Sequence, residues 1–382
     1  MPKIFILADD LTGAAEIGGI ATLFGLSVRI IFNINKKINY PEEVVILDSN
    51  TRGLNSERAY QRVSRLLDPV KFDEYDLVFK KVDSILRGSI VAEIKALSLK
   101  LGINKICLIP ANPSKNRIIR NGKYYIYEKP INKTEFRFDP EYPRLSEEVK
   151  DLITDNSGTV SINNDPFEII ENRITVPDIT SKSEINSYVS KLPEKGILYA
   201  GGADFFTGIL RYKLMLTRVK DYVQIQKADN NHFVIGSNSK ISLRTRYILS
   251  EHKHTLYRLP EPAIKDNVRF KEWLLIIRES LNNQKLIVIS GPDKRYKDPL
   301  EIKFISERLV YAAKIIADNL STGQLFIEGG KTASMFFRVM GWDNLFIHQA
   351  VNDGIVSLSK PGTNIIVTIK PGSYKWPDNI LK

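Results

Sequence analysis

Three short stretches carry the residue types that chemistry needs. The first, A-D-D-L-T-G-A at residues 8–14, puts Asp9 and Asp10 directly after the apolar run Ile4 to Ala8. The second, D-S-N-T-R-G-L at 48–54, offers Asp48 and Arg52. The third, K-K-V-D-S-I-L-R-G-S at 80–89, offers Lys80, Lys81, Asp83, Arg87 and Gly88. Each follows a strand-like run, so all three fall on the rim where the carboxyl ends of a parallel sheet collect ligands. One such corner would mean little; three on one rim point to a ligand site. Aspartates take hydroxyls, arginines can grip a carboxylate bidentately, and Lys81 can neutralise a second anionic group. The mixture suits a polyol that bears a carboxylate. Neighbouring side chains at a strand end point to opposite sides, so one of the first two aspartates is expected to face the ligand, and Asp10 is assigned to it. The alternative is that the pair only ends the strand and favours the dipole of the next helix.

A fourth stretch, Q-L-F-I-E-G-G-K-T-A-S-M-F-F at 324–337, runs from a strand through Gly329 and Gly330 into a helix. Glycines let the backbone approach a phosphate, and a helix N-terminus offers free N–H groups. The fragment G-K-T is not a Walker A loop, because Leu325 stands where that motif needs glycine. The four histidines, His232, His252, His254 and His348, show no metal-ligand spacing, and His232 is expected at a strand end. There is no G-x-S-x-G elbow. I-G-G-I-A-T-L-F-G at 17–25 does not fit G-x-G-x-x-G, which argues against a dinucleotide fold.

The elements that must position these groups alternate. V-R-I-I-F (28–32), E-V-V-I-L-D (43–48), Y-D-L-V-F-K-K-V-D (75–83) and N-K-I-C-L-I-P-A (104–111) read as strands. N-S-E-R-A-Y-Q-R-V-S-R-L-L (55–67) reads as an amphipathic helix with Ala59, Val63, Leu66 and Leu67 on one face. A helix also follows Asp10, with Thr12 as its expected N-cap and Glu16 four residues on, and another starts near Gly88. Strands separated by helices of this length imply a parallel sheet with crossover connections.

Between Asn112 and Leu145 the pattern lapses into a long loop in which Lys115, Arg117, Arg120, Lys123 and Arg137 interleave with Tyr124, Tyr125, Tyr127, Phe136 and Phe138; Pro113, Pro130, Pro140 and Pro143 punctuate it. Loops this long are functional or disordered. Strand signals resume at G-T-V-S-I, R-I-T-V-P-D-I and G-I-L-Y-A-G-G-A-D. The polar stretch Gln226 to Asn231 is a candidate linker. A second α/β series follows it: H-F-V-I-G-S-N-S, K-L-I-V-I-S-G-P and Q-L-F-I-E-G-G as strands, a long helix at 298–318, then hairpin-like segments.

Composition narrows the class. A chain of 382 residues exceeds the ~250–300 at which a single core stops growing, so two domains are expected, 1–228 and 229–382. The formal net charge is +11, 55 basic against 44 acidic residues, which favours phosphate, carboxylate or nucleic-acid partners. The charges are dispersed and form no basic tail. A single cysteine, Cys107, excludes an internal disulfide and reads as a buried thiol. The first apolar run stops at Asp9, so no secretory leader is expected, and no run approaches the ~18–20 apolar residues of a membrane helix. A soluble, cytoplasmic protein is expected.

These motifs resemble a known family. A-D-D-L-T-G-A, T-R-G-L (51–54), K-K-V-D-S-I-L-R-G-S, I-P-A-N-P-S-K-N-R (109–117), K-T-E-F-R-F-D-P (133–140), G-S-N-S (236–239), G-G-K-T (329–332) and K-P-G-S-Y (370–374) occur in order. Together they resemble the four-carbon acid sugar kinases, which use ATP to phosphorylate threonate, erythronate or 3-oxo-tetronate at O4. The resemblance implies two α/β domains with largely parallel sheets flanked by helices, and an active site in the interdomain cleft. It implies that Asp10, Arg52, Lys81, Asp83, Arg87 and Gly88 belong to the acid site; within it Asp10 is assigned as candidate base and Arg52 and Arg87 to the carboxylate. It places Ser239, Gly329, Gly330, Lys331, Thr332 and Gly372 at the nucleotide. ATP and Mg2+ are the expected cofactors, with no metal ligand named. A sugar acid and ATP are the expected partners, without nucleic acid or membrane, and a homodimer is the assembly to test. The chain has S-I-L-R-G-S where the family usually has S-T-L-R-G-N. It has Asn238 where a cysteine is usual, and Lys331 where an acidic residue is usual. Two rivals stand beside this reading: a dinucleotide-dependent oxidoreductase on a similar scaffold, and a basic nucleic-acid-binding protein using the 115–142 segment.

Overall fold

The run I-F-I-L-A is buried along its whole length and forms β1 (Ile4–Ala8) at the centre of a parallel sheet. Strands buried on both faces read as continuous apolar runs, which is why the sequence marks them so clearly. The computed structural model describes residues 1–382 apart from 33–39, 140, 154–158, 226, 227, 229, 238, 252–254, 295, 297, 373 and 382. Of the sequence features above, Pro140, Gly158, Gln226, Lys227, Asp229, Asn238, His252, His254 and Ser373 lie outside the described residues. The chain divides into two compact units, Met1–Lys220 and Asp221–Lys382.

In the first unit β1 is followed by α1 (Leu11–Leu23), β2 (Val28–Ile31), β3 (Val44–Asp48), α2 (Ser56–Leu67), β4 (Leu77–Lys81), α3 (Ile90–Leu101) and β5 (Lys105–Ile109). After the strands β6 (Arg117–Arg120), β7 (Lys123–Ile126) and β8 (Lys129–Pro130) come α4 (Val149–Leu152), β9 (Val160–Ile162), β10 (Arg173–Val176), α5 (Lys182–Lys191), β11 (Leu198–Gly201) and α6 (Ala203–Tyr212). The main sheet runs β2-β3-β1-β4-β11-β5-β10-β9, and every pair in it is parallel. From β1 the chain goes out to β2 and β3 on one side and crosses to β4 on the other. Such a switch point opens a crevice beyond the carboxyl ends of the strands.

The first unit departs from two expectations. The N-cap of α1 is Asp10, not Thr12: Asp10 is extended (φ −151°, ψ 166°) and its Oδ1 accepts from Gly13 N–H at 2.7 Å. The span from Asn112 to Leu145 is not a featureless loop. Its centre is the antiparallel sheet β6-β7-β8, with two 3₁₀ turns, Ile131–Lys133 and Glu135–Phe138, after it.

In the second unit β12 (Asn231–Ile235), α7 (Lys240–Glu251), β13 (Thr255–Arg258), α8 (Asn267–Leu281), β14 (Leu286–Ser290), α9 (Pro299–Asp318), β15 (Gly323–Glu328) and α10 (Gly330–Val339) continue the alternation. The hairpin β16 (Asn344–Asn352) and β17 (Ile355–Ser359) then leads to β18 (Ile365–Lys370). Strands β13-β14-β12-β15-β18 pair in parallel, and β17 joins β18 antiparallel. Phe233 of β12 stacks on Phe326 of β15 at 4.6 Å between ring centroids, with Trp376 edge-on to both. His232 lies inside β12, fully buried, rather than at a strand end, and burial pushes its imidazole down to about 4.

Candidate functional site

The three charged corners of the first unit meet. Strand β3 pairs with β1 so that Asp48 lies opposite Ala8, and the Asp9 carbonyl accepts from the amides of Thr51 (3.0 Å) and Arg52 (3.3 Å). That turn aims the Arg52 side chain back across the end of β1. Its Nε donates to Asp9 Oδ2 at 2.7 Å and its Nη2 to Asp9 Oδ1 at 3.0 Å, while Nη1 donates to Asp10 Oδ2. Asp83, from the end of β4, stands 3.5 Å from Nη2. The two opening aspartates therefore share one guanidinium instead of facing apart. They differ in access: the Asp9 side chain is 3% exposed and that of Asp10 23%.

Asp83 also fixes Arg87. Arg87 Nε and Nη2 donate to its two oxygens at 3.0 and 2.9 Å, and the amides of Ile85 and Arg87 donate to Oδ2. Gly88 has φ +88°, a conformation that favours glycine, and lies against Arg52 Cα and Asp9 Oδ2. On the other side of Asp10, Lys81 Nζ sits 3.1 Å from Glu16 Oε2 and donates to the Val82 carbonyl. Beneath the rim, Lys80 and Glu93 of α3 pair at 2.6 Å while nearly or fully buried, and Thr51 donates to Glu93 at 2.7 Å.

Electrostatics separate the acids. Burial opposes ionisation of Asp83 and Asp9, but Arg87 and Arg52 outweigh it at Asp83, and Arg52 with Lys80 at Asp9, so both are held below the usual carboxylate range. At Asp10 burial prevails over Arg52, with Asp9 and Asp83 adding repulsion, so its carboxyl is raised. Two acids with opposed shifts in one site are a common basis for acid–base chemistry. Burial would lower Arg52, but its three carboxylates raise it well above its ordinary value.

The 112–145 span covers this rim. Arg117 donates to Ser84 Oγ and the buried Tyr124 hydroxyl to the Ser84 carbonyl. Tyr142 donates to the Arg52 carbonyl, Arg144 Nη1 to the Leu86 carbonyl at 3.1 Å, and Asp139 Oδ2 stands 3.5 Å from Arg87 Nη1. Several of the basic and aromatic side chains that suggested a nucleic-acid surface are spent on the site itself.

In the second unit the predicted nucleotide residues gather at the ends of β12, β15 and β18. Ser239 Oγ donates to the Gly372 carbonyl at 2.7 Å, and Gly329 N–H donates to the Lys370 carbonyl at 2.9 Å. A Cβ on Gly236 would collide with buried Thr332, and one on Gly372 with Ser237. Gly329 (φ +110°) precedes α10 with no side-chain cap, so the amides of Gly330, exposed Lys331 and Thr332 open the helix. Gly236 and Gly372 thus serve close packing, and the uncapped helix start after Gly329 is the feature that fits a phosphate. Two groups here escaped the sequence reading. Buried Arg246 of α7 donates to the carbonyls of Ser237, Gly291 and Pro292, and Glu328 pairs with Lys370 (3.3 Å) and accepts from Trp376 Nε1 (3.0 Å). In the first unit it missed Glu16, Asp139 and Tyr142. Glu16 had a signal: it is the single charged residue in the small, apolar helix α1. Among the described residues no cluster of three or more His, Cys, Asp or Glu side chains is placed to hold a metal. No helix among them is long and apolar enough to cross a membrane.

Comparison with known proteins agrees with a carbohydrate-binding first unit. Residues 4–207 match the family model described as a sugar-binding N-terminal domain. With that match and its kinase relatives, the chain belongs to the four-carbon acid sugar kinase family. It is 28% identical over 153 residues to a D-threonate kinase of Salmonella typhimurium, covering 40% of this chain and 36% of the relative. It is 27% identical over 161 residues to a D-erythronate kinase of Heliobacterium modesticaldum, covering 41% and 37%. The aligned stretches thus span little more than a third of these curated relatives. A Salmonella typhimurium LT2 structure described as that of a candidate tRNA synthase superposes with a TM-score of 0.78 at 15% identity, over 100% of this chain and 97% of that one. Haemophilus influenzae protein HI1011 superposes with a TM-score of 0.72 at 16% identity, over 98% of each. At these identities the two structures show the shared fold alone.

Proposed function

We propose that the protein is an ATP-dependent sugar-acid kinase. It phosphorylates the terminal O4 hydroxyl of a four-carbon acid such as threonate, erythronate or 3-oxo-tetronate. The observation that carries this reading is the convergence of Asp9, Asp10, Arg52, Asp83 and Arg87 at the switch point of a sheet whose sequence matches a sugar-binding domain. Asp10 combines the exposure and the raised carboxyl that a base for the acceptor hydroxyl needs. Lys81 and Gly88 complete the acid site. The turns at Ser239, Gly329–Thr332 and Gly372 are assigned to the phosphates of ATP. Phosphoryl transfer relies on positioning and charge neutralisation, and Mg2+ would supply part of that neutralisation at the phosphates of ATP. A homodimer is the assembly to test by light scattering.

The test is an ADP-release screen of the full chain with ATP and Mg2+ across four-carbon sugar acids. Turnover of at least one acid is expected. Absence of ADP release with every acid, or turnover of a dinucleotide instead, overturns the reading.

A further inference from the structure

The acid site divides by charge. Around the guanidiniums of Arg52 and Arg87, with that of Arg144 nearby, stand four carboxylates, Asp9, Asp10, Asp83 and Asp139, while buried Lys80 is matched by Glu93. On the other flank the ratio reverses. Glu16 accepts two ammoniums on its two oxygens, Lys81 Nζ at 3.1 Å from Oε2 and Lys115 Nζ at 2.5 Å from Oε1. The flanks meet at Gly13, where a Cβ would lie 3.2 Å from Asp10 Oδ1 and 3.7 Å from Lys81 Nζ. An anion entering this site is repelled where acids outnumber cations and attracted where ammoniums outnumber acids, and burial strengthens both effects.

Lys115 is built into this place. It ends the 3₁₀ turn Pro113–Lys115, whose Ser114 N–H donates to Asp204 at 2.7 Å and whose Lys115 N–H donates to the Asn112 carbonyl at 2.8 Å. Its side chain is 16% exposed against 3% for Lys81, so Lys115 is the ammonium a ligand reaches first. Burial resists ionisation of Glu16, but Lys81 and Lys115 draw it down to about 2, so it is a carboxylate at any working pH.

Resting on the sugar-acid reading above, we propose that Lys115, backed by Lys81, binds the carboxylate of the sugar acid and is the residue that selects acids over neutral polyols. Glu16 is then a positioning residue that keeps the two ammoniums together against their mutual repulsion. Arg52 and Arg87 take a different part from the one their residue type suggests. They neutralise and orient the aspartates that accept the ligand's hydroxyls.

The test uses the full chain and titration calorimetry with D-threonate, D-erythronate and the neutral primary amide of each. Wild type should prefer acid to amide. Lys115→Met should weaken acid binding about 10- to 100-fold, the loss expected for a charge-assisted hydrogen bond. ADP affinity should stay within twofold, amide affinity should fall clearly less than acid affinity, and Lys115→Arg should recover most of the acid affinity. Equal weakening of acid and amide would make Lys115 a structural residue and overturn the proposal. So would acid affinity unchanged in Lys115→Met. Wild type that binds no four-carbon acid would overturn the sugar-acid reading itself, and this inference with it.

Discussion

Arg52 holds Asp9 with two hydrogen bonds, Nε to Oδ2 at 2.7 Å and Nη2 to Oδ1 at 3.0 Å, while its third nitrogen reaches Asp10. This fork makes the end of β1 and the turn after β3 one electrostatic unit. Breaking a buried pair by removing one partner leaves an uncompensated charge, at a cost of about 3–5 kcal/mol. Arg52→Ala should destabilise the protein by that order in urea unfolding, and Arg87→Ala by less, because the Arg87 side chain is 32% exposed. The reverse ranking would show that the fork does not hold the rim.

Asp10 caps α1 and is the proposed base, and one substitution separates the two. Asparagine caps a helix as well as aspartate does, so Asp10→Asn should keep α1 and the melting temperature. It cannot take a proton, so kcat should fall by about 10²–10⁴ if Asp10 is the base. A fall of less than tenfold would leave Asp10 as a hydroxyl ligand only.

The Glu16 pair predicts a pH dependence of stability. Its carboxyl is lowered from 4.5 to about 2. A depressed acid contributes stability that is present above the unfolded value and is lost as pH falls through the folded one. A lowering of this size corresponds to about 3 kcal/mol. The stability gap between wild type and Glu16→Gln should therefore be widest above pH ~4.5 and close toward pH ~2. Denaturant titrations at several pH values read it directly, and a gap that does not change with pH rules this out.

The glycine turn of the second unit should act on nucleotide alone. Gly330→Val places a branched side chain where a phosphate would meet the start of α10. ADP affinity should drop at least tenfold with sugar-acid affinity retained. Loss of both, in a protein that still melts cooperatively, would detach the turn from a specific nucleotide role.

Much of the first unit was legible because doubly buried strands write themselves as apolar runs, and the polar residues that end them mark the rim. What was not legible depends on register and on distant chain. Arg52 could be placed on the rim, but its grip on both aspartates follows from Asp48 pairing with Ala8. Strands of two to four residues that mix bases with aromatics, as in β6 to β8, carry too short a period to stand out. Thr12 was the more obvious cap by type, yet the chain is extended only as far as Asp10. Lys115 and Glu16 could not be paired from the sequence at all.

The contacts that make this rim join residues far apart in the chain: Arg52 to Asp9 across 43 positions, Tyr142 to Arg52 across 90, and Lys115 to Glu16 across 99. Loops of that length close slowly, after local helices and turns have formed. The charged rim therefore depends on bringing residues between 9 and 142 together, and it is expected to form after the local helices. Regained ligand affinity would then lag behind regained helicity during refolding, and the site would report long-range assembly rather than local structure.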